Sequence, residues 1–344
     1  MSARRWELRA AAALALTLGC AAGAAGQGNA PVHIRLGTLV PQGTSYHHLL
    51  QAMGERWREA TGGRVQLTVY AGTMGSELEL VRRMRLGQLQ AATLTVVGLR
   101  EIDRAVGALQ LMPLMFRSLD ELDFVRGRLE PVLTRRLAER GFVVLFWVDA
   151  GWVHFFTRRP AVRPDDFRHL KIFTTSGDPE TFDLVRSAGF QPVPLEWSDA
   201  LTALQTGMVD AVPTIPYHAL AMQFYTVANN MLEVNWVPLV GAEIVSKRVW
   251  DALPPETQAA LRAAAAETGR QFEERGRIES DEAVAAMKRR GLNVIPVPPA
   301  VEAEWRSLSE SFYPRIRGSL VPADMFDEVL RLLTEYRGSH PGSN

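Results

Sequence analysis

Residues 165–177 read DDFRHLKIFTTSG, and the organisation of the rest of the chain can be worked out from this stretch. The apolar run Leu170–Phe173 predicts a strand, and Thr174–Gly177 predicts a polar loop that presents hydroxyl groups. Asp178 is a favourable N-cap and Pro179 suits the first helical position, so a helix is expected to begin directly after the loop. A strand that passes through such a loop into a helix is a common ligand-binding arrangement in α/β proteins.

Toward the N-terminus, the chain alternates between strand-like and helix-like segments. Strands are predicted at Val32–Leu39, Val65–Tyr70 and Ala91–Val97 from their apolar alternation and β-branched content. Amphipathic helices are expected between them, the first capped by Thr44 or Ser45. This β-α-β-α-β order predicts a parallel sheet covered by helices.

The middle of the chain reads as a connection between two units. Residues 98–141 are predicted to be a surface-facing helical segment, and Phe142–Val148 an apolar strand that leads into a crossover. Segments Asn229–Trp236 and Leu239–Val245 are predicted to be two strands that cross back. Either hinge and core packing or the apolar wall of a cleft would explain the aromatic group at the crossover, which comprises Trp147, Trp152, Phe155 and Phe156.

The C-terminal third is predicted to be mainly helical. Pro255–Gly291 reads as one long helix rich in Ala, Glu, Arg and Gln, and a coiled coil is disfavoured because the apolar stripe is not sustained in heptads. A short strand is expected at Val294–Val297, with helices at about Val301–Leu308 and Ala323–Tyr336. The polar residues after Tyr336 are expected to fray.

Composition bounds the class of protein. The chain has 344 residues, of which 47% are hydrophobic and 22% charged, enough for two domains with full cores. Its formal charge is zero, so nothing in the composition favours nucleic-acid binding. A single cysteine, Cys20, excludes an intramolecular disulfide framework and a cysteine-rich zinc site.

The N-terminus resembles an export signal. Residues 1–26 combine three arginines, a short apolar run and small residues suited to cleavage. The apolar run Ala10–Leu18 is too short to span a bilayer. Leu18-Gly19-Cys20 partly resembles a lipoprotein site, so lipidation of Cys20 is kept as an alternative to its removal with the signal. Both readings place the protein in the periplasm.

No motif of covalent, phosphate or metal chemistry is present in the sequence. It contains no H-E-x-x-H spacing, nucleophile elbow, P-loop or dinucleotide-binding fingerprint. Neighbours such as His47 and His48 cannot share one helical face. Asp149 with His154, or His169, could be drawn as an acid–base pair, but such pairs arise often by chance. We therefore predict no catalytic residues, no metal and no cofactor, with an enzyme of unknown type as a rival.

Two segments together resemble a known family. DDFRHLKIF, followed by GFQPVPL at 189–195 and LQTGMVDA at 204–211, is similar to the DLKGLKIR and GA.PVP......ALQ.GVVDG segments of the solute receptors of tripartite ATP-independent periplasmic (TRAP) transporters, the DctP family. W..LPPE.Q also matches, at 250–258. The resemblance covers about residues 32–336. It implies an α/β fold with two lobes, mixed sheets flanked by helices, and a long spine helix spanning both lobes.

The resemblance also implies a division of the chain. Lobe 1 would comprise residues 31–150 and about 239–278. Lobe 2 would comprise residues 151–238 and about 279–336. Residues 337–344 would form the frayed tail.

The chain departs from the family pattern at one important position. The arginine that pairs with a substrate carboxylate in the family falls at Phe173 here. Lys171 matches the exposed lysine of the motif, which leaves Arg35, Arg100 and Arg158 as possible cations from elsewhere. An unpaired carboxylate is costly to bury, so the ligand is expected to be neutral, apolar or weakly acidic instead of a simple dicarboxylate.

Candidate ligand-binding residues follow from the resemblance and from the chemistry of the cleft. Glycine loops, hydroxyl groups and aromatic rings are the expected contributors. They are Gly43, Thr44, Tyr46, Gly72, Trp152, Phe173, Thr174, Thr175, Thr214, Tyr217 and Trp236.

The resemblance implies a receptor that closes two lobes around a small organic molecule and delivers it to TRAP permease subunits in the membrane. Contact with the membrane would then run through the permease or a lipid anchor. Two alternatives stay open: a periplasmic carrier of lipids or other hydrophobic molecules, and a sensory partner of a membrane receptor.

Overall fold

The computed structural model describes residues 31–340, which form one mixed sheet with helices on both faces. Its strands, β1 to β9, are Val32–Thr38, Val65–Ala71, Ala91–Thr95, Phe142–Thr157, Lys171–Thr175, Gln191–Leu195, Ala211–Thr214, Asn230–Ser246 and Asn293–Ile295. Its α-helices, α1 to α12, are Ser45–Ala60, Glu77–Arg85, Val96–Leu99, Leu119–Glu139, Pro164–Phe167, Pro179–Ser187, Ala200–Thr206, Pro216–Ala221, Lys247–Asp251, Pro255–Lys288, Pro299–Ser319 and Ala323–Ser339.

Two long antiparallel strands, β4 and β8, hold the sheet together. The strand order is β2-β1-β3-β8-β4-β7-β5-β6, with β9 also paired to β8. Strand β3 pairs with β8 at Gly241–Val245, whereas β7 pairs with the far end of β4 at His154–Thr157. The N-terminal and central parts of the chain therefore build opposite ends of the sheet, as the predicted two-lobed α/β fold requires.

The strands bend where they pass from one end to the other. Asp149 pairs with Val240 and Trp152 with Pro238, so β4 carries one residue more than β8 across this stretch. Gly151 takes a φ of +84°, which glycine adopts without steric cost. An extra residue in one strand kinks and twists it, so this bulge marks the junction between the two lobes.

The 34-residue helix α10 lies along both lobes. Leu261, Ala265 and Phe272 pack into a cluster with α1 and the first strands, whereas Ala283 and Met287 pack with α7 and α8 at the other end. Its predicted role as a spine is confirmed by this packing.

Packing assigns the C-terminal helix to the first lobe, unlike the expected division. The buried face of α12, including Phe326 and Val329, lies in one cluster with Leu122 and Val125 of α4. Trp305 of α11 instead belongs to a cluster at the other end, so the chain returns to lobe 1 within residues 299–339. The remaining lobe boundaries stay a prediction.

Three other expectations differ from the structure. Residues 337–339, which were expected to fray, continue α12, and Arg337 pairs with Glu121. Residues 102–112 are largely buried instead of surface-facing, because their apolar side chains form part of the core against α4. The segments predicted as two strands are one strand, β8, since Pro238 falls opposite the bulge and does not break the pairing.

The signal-like residues 1–26, including Cys20, lie outside the described residues. Within residues 31–340, no helix combines the length and apolar character that a membrane crossing needs.

Candidate functional site

A cavity of about 400 Å³ lies between the two ends of the sheet, against the crossing strands β4 and β8. Lobe 1 contributes residues such as Thr38 and Thr93, and lobe 2 contributes residues such as Phe173 and Trp197. Val148 and Phe155 of β4 also line the cavity, between the contributions of the two lobes. Concave, mainly apolar pockets of this size with a few polar groups are typical of small-molecule sites.

Most of the predicted site residues meet at this cavity. They come from five separate elements or loops, because strand ends from both lobes converge on the cleft. The predicted residues that line it are Tyr46, Phe173, Thr174, Thr175, Thr214, Tyr217 and Trp236.

Four predicted residues do not line the cavity. Gly43 and Thr44 shape the start of α1, where the Thr44 hydroxyl donates to Pro41 O at 2.7 Å. Gly72 follows β2, which lies at the sheet edge and is separated from β3 by β1. Trp152 is half-buried against the core of lobe 1, next to the β4 bulge.

The aromatic residues at the crossover have different roles, because one lines the cleft and the others pack in the cores. Phe155 lines the cavity. Trp147 and Phe156 are core residues of lobe 1 and lobe 2, respectively. The alternation of side chains along a strand sends neighbours such as Phe155 and Phe156 to opposite faces.

Phe173 is part of the cavity wall. The residue is 1% exposed, and its ring centroid lies 4.4 Å from that of Trp197. Strand β5 is held on both sides, by β6 and β7, which fixes the direction of the side chain. An apolar ring therefore occupies the position for which the resemblance implied an arginine.

Two hydroxyl groups of the wall have no hydrogen-bond partner within the described residues. They are the phenol of Tyr46 and Oγ1 of Thr174, and both atoms are buried. Burial is the main reason why the pKa of Tyr46 is raised, with a smaller contribution from Glu279. An unpaired buried hydroxyl costs free energy, so both groups are suited to meet polar atoms of a ligand.

The other polar groups at the cavity are uncharged or already paired. Burial lowers the pKa of His218 to about 4, and its Nδ1 lies 3.0 Å from Thr214 Oγ1. Gln110 accepts a hydrogen bond from Val240 N at 2.9 Å. The carboxylate of Glu77 accepts hydrogen bonds from Thr95 N, Thr95 Oγ1 and Gly98 N at 2.7–2.8 Å.

The remaining cationic candidates are engaged elsewhere. Arg35 donates to Gln90 and Gly87, and Arg158 pairs with Asp210. Lys171 is exposed, as its match in the motif suggested, and donates to Gly207 O at 3.1 Å. Arg100 of lobe 1 pairs with Asp178 of lobe 2 at 3.0 Å. Among residues 31–340, no lysine or arginine lines the cavity.

Sequence reasoning did not select several residues of the wall. Gln110 and Trp305 come from segments without any ligand-binding motif, and Thr93 sits within a predicted strand. Only the fold brings them to the same cavity. Asp178 was identified as a helix cap, and its position after the hydroxyl-bearing loop was the one available signal of a second role.

No group of His, Cys, Asp and Glu residues suited to hold a metal ion occurs within the described part of the chain.

Comparison with known proteins agrees with the cleft geometry. The family model of bacterial extracellular solute-binding proteins, family 7 (DctP), matches residues 36–318. The chain belongs to the DctP family. Members of this family are receptors that bind a solute, and the chain is accordingly a TRAP-type solute receptor instead of a member of an enzyme family.

Curated and structural relatives support the same assignment. The C4-dicarboxylate-binding periplasmic protein DctP of Rhodobacter capsulatus is 26% identical over 263 residues, which cover 76% of this chain and 79% of the relative. A TRAP solute-binding protein from Sulfitobacter sp. NAS-14.1 with bound β-D-galacturonate has a TM-score of 0.80 at 19% identity, covering 88% and 99% of the two chains. One from Ralstonia eutropha H16 with bound (S)-2-acetolactate has a TM-score of 0.82 at 18% identity, covering 88% and 99%.

Proposed function

We propose that this DctP-family receptor captures an uncharged or weakly acidic, predominantly apolar organic molecule and delivers it to a TRAP membrane permease. The proposal rests on one observation: no lysine or arginine of residues 31–340 lines the cavity, and Phe173 forms part of its wall. Burying a carboxylate without a cation costs several kcal/mol, so an acid that must stay ionised is disfavoured.

The aromatic side of the cavity supports an apolar ligand. Phe155, Phe167, Trp236 and Trp305 all line it, with neighbouring ring centroids 5.0–5.6 Å apart. Rings that are held by one another lose little freedom when a ligand packs against them. The hydroxyls of Tyr46 and Thr174 supply orienting hydrogen bonds at other points of the wall.

This ligand class differs from those of the named relatives. C4-dicarboxylates, galacturonate and acetolactate all carry carboxylate groups. The relatives share the fold, but a fold does not determine which ligand a site accepts. The replacement of a motif arginine by Phe173 is the reason for separating this chain from them.

The signal-like N-terminus and the periplasmic relatives support export of the receptor to the periplasm. Closure follows when a ligand contacts both lobes, because such contacts exist only in the closed state. A permease that recognises the closed form would then receive the solute.

Titration calorimetry tests the ligand class. The panel contains C4-dicarboxylates, a sialic acid, aromatic amides and alcohols, and short-chain neutral lipids. We expect binding only among the neutral members of the panel. Micromolar binding of a dicarboxylate by the native protein would overturn the proposal.

A further inference from the structure

Arg100 is a buried cation whose contacts include residues of the cavity wall. Its side chain is 6% exposed, at the end of α3 in lobe 1. It donates to Oδ1 and Oδ2 of Asp178 at 3.0 and 3.2 Å and to Thr181 Oγ1 at 3.5 Å. Asp178 and Thr181 belong to lobe 2 and line the cavity. The guanidinium group thus lies directly behind the wall.

The protein supplies the anions that neutralise this cation. Asp178 caps α6 through its hydrogen bond from Thr181 N at 3.1 Å, and its side chain is only 10% exposed. Glu180, two residues later, bridges Arg100 and Arg104. Two arginines and two carboxylates therefore form a charge-balanced group that connects the segment after α3 with the start of α6.

We infer that Asp178 is a specificity-determining residue that excludes acidic ligands by occupying Arg100 with a carboxylate of the protein itself. An incoming ligand carboxylate finds this guanidinium already paired. It also meets the negative charge of Asp178 in a partly dehydrated wall, where like charges repel strongly. Specificity then comes from a repulsive element as well as from the apolar surface.

The same ion pair stabilises the closed arrangement of the lobes through a contact that does not depend on the charge of the ligand. It joins the lobes beside the end of β5, the strand that carries Thr174 and Thr175. A neutral ligand can therefore be enclosed while the charged contact between lobes is made by the protein alone.

The inference rests on the proposed function, and Asp178→Asn tests it separately. Asparagine is as good an N-cap as aspartate, so α6 keeps its start while the negative charge is removed. The probes are aromatic carboxylates matched in shape with their amides, such as indole-3-acetate and indole-3-acetamide. Asp165→Asn is the control, because it makes the same charge change at a residue that is 85% exposed and pairs with Arg168.

We expect Asp178→Asn to bind at least one carboxylate of the panel tenfold or more tightly than the wild type, and the ratio of carboxylate to amide affinity to rise by at least the same factor. Asp165→Asn should match the wild type, and Asp178→Asn/Arg100→Gln should lose the gain. Asp178→Ser, another favourable cap, repeats the measurement if the asparagine variant folds poorly. A folded Asp178 variant without increased carboxylate affinity overturns the inference, whatever the wild type binds. Dicarboxylate binding by the wild type overturns the proposed function and this inference with it, whereas an Asp178 variant without the gain overturns the inference alone.

Discussion

The hydroxyl of Thr93 donates a hydrogen bond of 2.6 Å to the carboxyl group of Glu243, which is completely buried in strand β8. Burial raises the pKa of Glu243 to about 8, because removal from water disfavours the charged form. The unfolded chain ionises the same group near 4.5. Between these values the folded protein keeps a proton that the unfolded chain releases. The stability associated with this proton is full below about pH 4.5 and is lost as the pH rises through about 8.

Glu243→Gln should remove this loss of stability. Glutamine keeps an oxygen that can accept the hydrogen bond from Thr93 but cannot ionise. We expect the variant to exceed the wild type in free energy of unfolding by a few kcal/mol at pH 8.5, with the difference shrinking toward pH 4.5. Urea denaturation across this range provides the measurement. Glu233→Gln, at an exposed position of the same strand, is the control. Parallel pH profiles of the wild type and Glu243→Gln would contradict the prediction.

Tyr46→Phe should stabilise the ligand-free protein. Among residues 31–340 the buried phenol finds no hydrogen-bond partner, while its ring stacks on Phe272 at a centroid distance of 4.8 Å. Phenylalanine keeps the ring and removes the unpaired hydroxyl. We therefore expect the free energy of unfolding, measured by thermal or chemical denaturation, to rise by about 1 kcal/mol. Tyr313→Phe is the matched control. Its hydroxyl donates to Pro113 O at 2.7 Å, and we expect its removal to destabilise the protein by about 1 kcal/mol. Equal losses in both variants would show that Tyr46 is satisfied by a group of the protein or by water.

Phe173→Arg should create affinity for carboxylates. The change places a cation in the cavity wall, where bidentate pairing with a carboxylate is strong. Loss of the buried ring should destabilise the ligand-free protein by about 3 kcal/mol, and a bound carboxylate should restore part of that stability. Thermal shift with succinate and with an aromatic carboxylate measures both effects. Phe173→Leu tests the packing loss alone and should gain no carboxylate binding. A folded arginine variant that is indifferent to acids would show that position 173 does not control ligand charge.

Gly151→Ala should impair the junction between the lobes. The residue has a φ of +84°, which alanine adopts only with strain. We therefore expect the free energy of unfolding to fall by about 1 kcal/mol. Gly127→Ala is the opposite control, because this glycine lies within α4 with open space around its Cα and should gain up to about 1 kcal/mol. Chemical denaturation compares the two. A stable Gly151→Ala protein would mean that the β4 bulge relaxes into another conformation.

Local sequence patterns predicted the helices and strands that carry the site better than they predicted which residues line the cavity. The strand and the capped helix around residues 171–187 were correct, because propensity and capping agree there, but β5 runs on through Thr174 and Thr175, which were expected to lie in the loop. Trp152 shows the opposite case. Its sequence neighbours suggested the cleft, but one extra residue in β4 decides which way its side chain points. Gly72 was likewise excluded by the position of β2 at the edge of the sheet, which follows from long-range pairing.

By itself, the sequence determined most of the order of the elements, the long helix that begins at Pro255 and the apolar residue at position 173. These properties depend on the spacing and chemistry of residues close together in the chain. The tertiary structure alone decided that Arg100 meets Asp178, 78 residues further along, and that seven predicted residues share one cavity with Gln110 and Trp305. Such contacts depend on how the two lobes pack on either side of the junction in β4 and β8. A local sequence pattern does not determine the distance between side chains that are far apart in the chain.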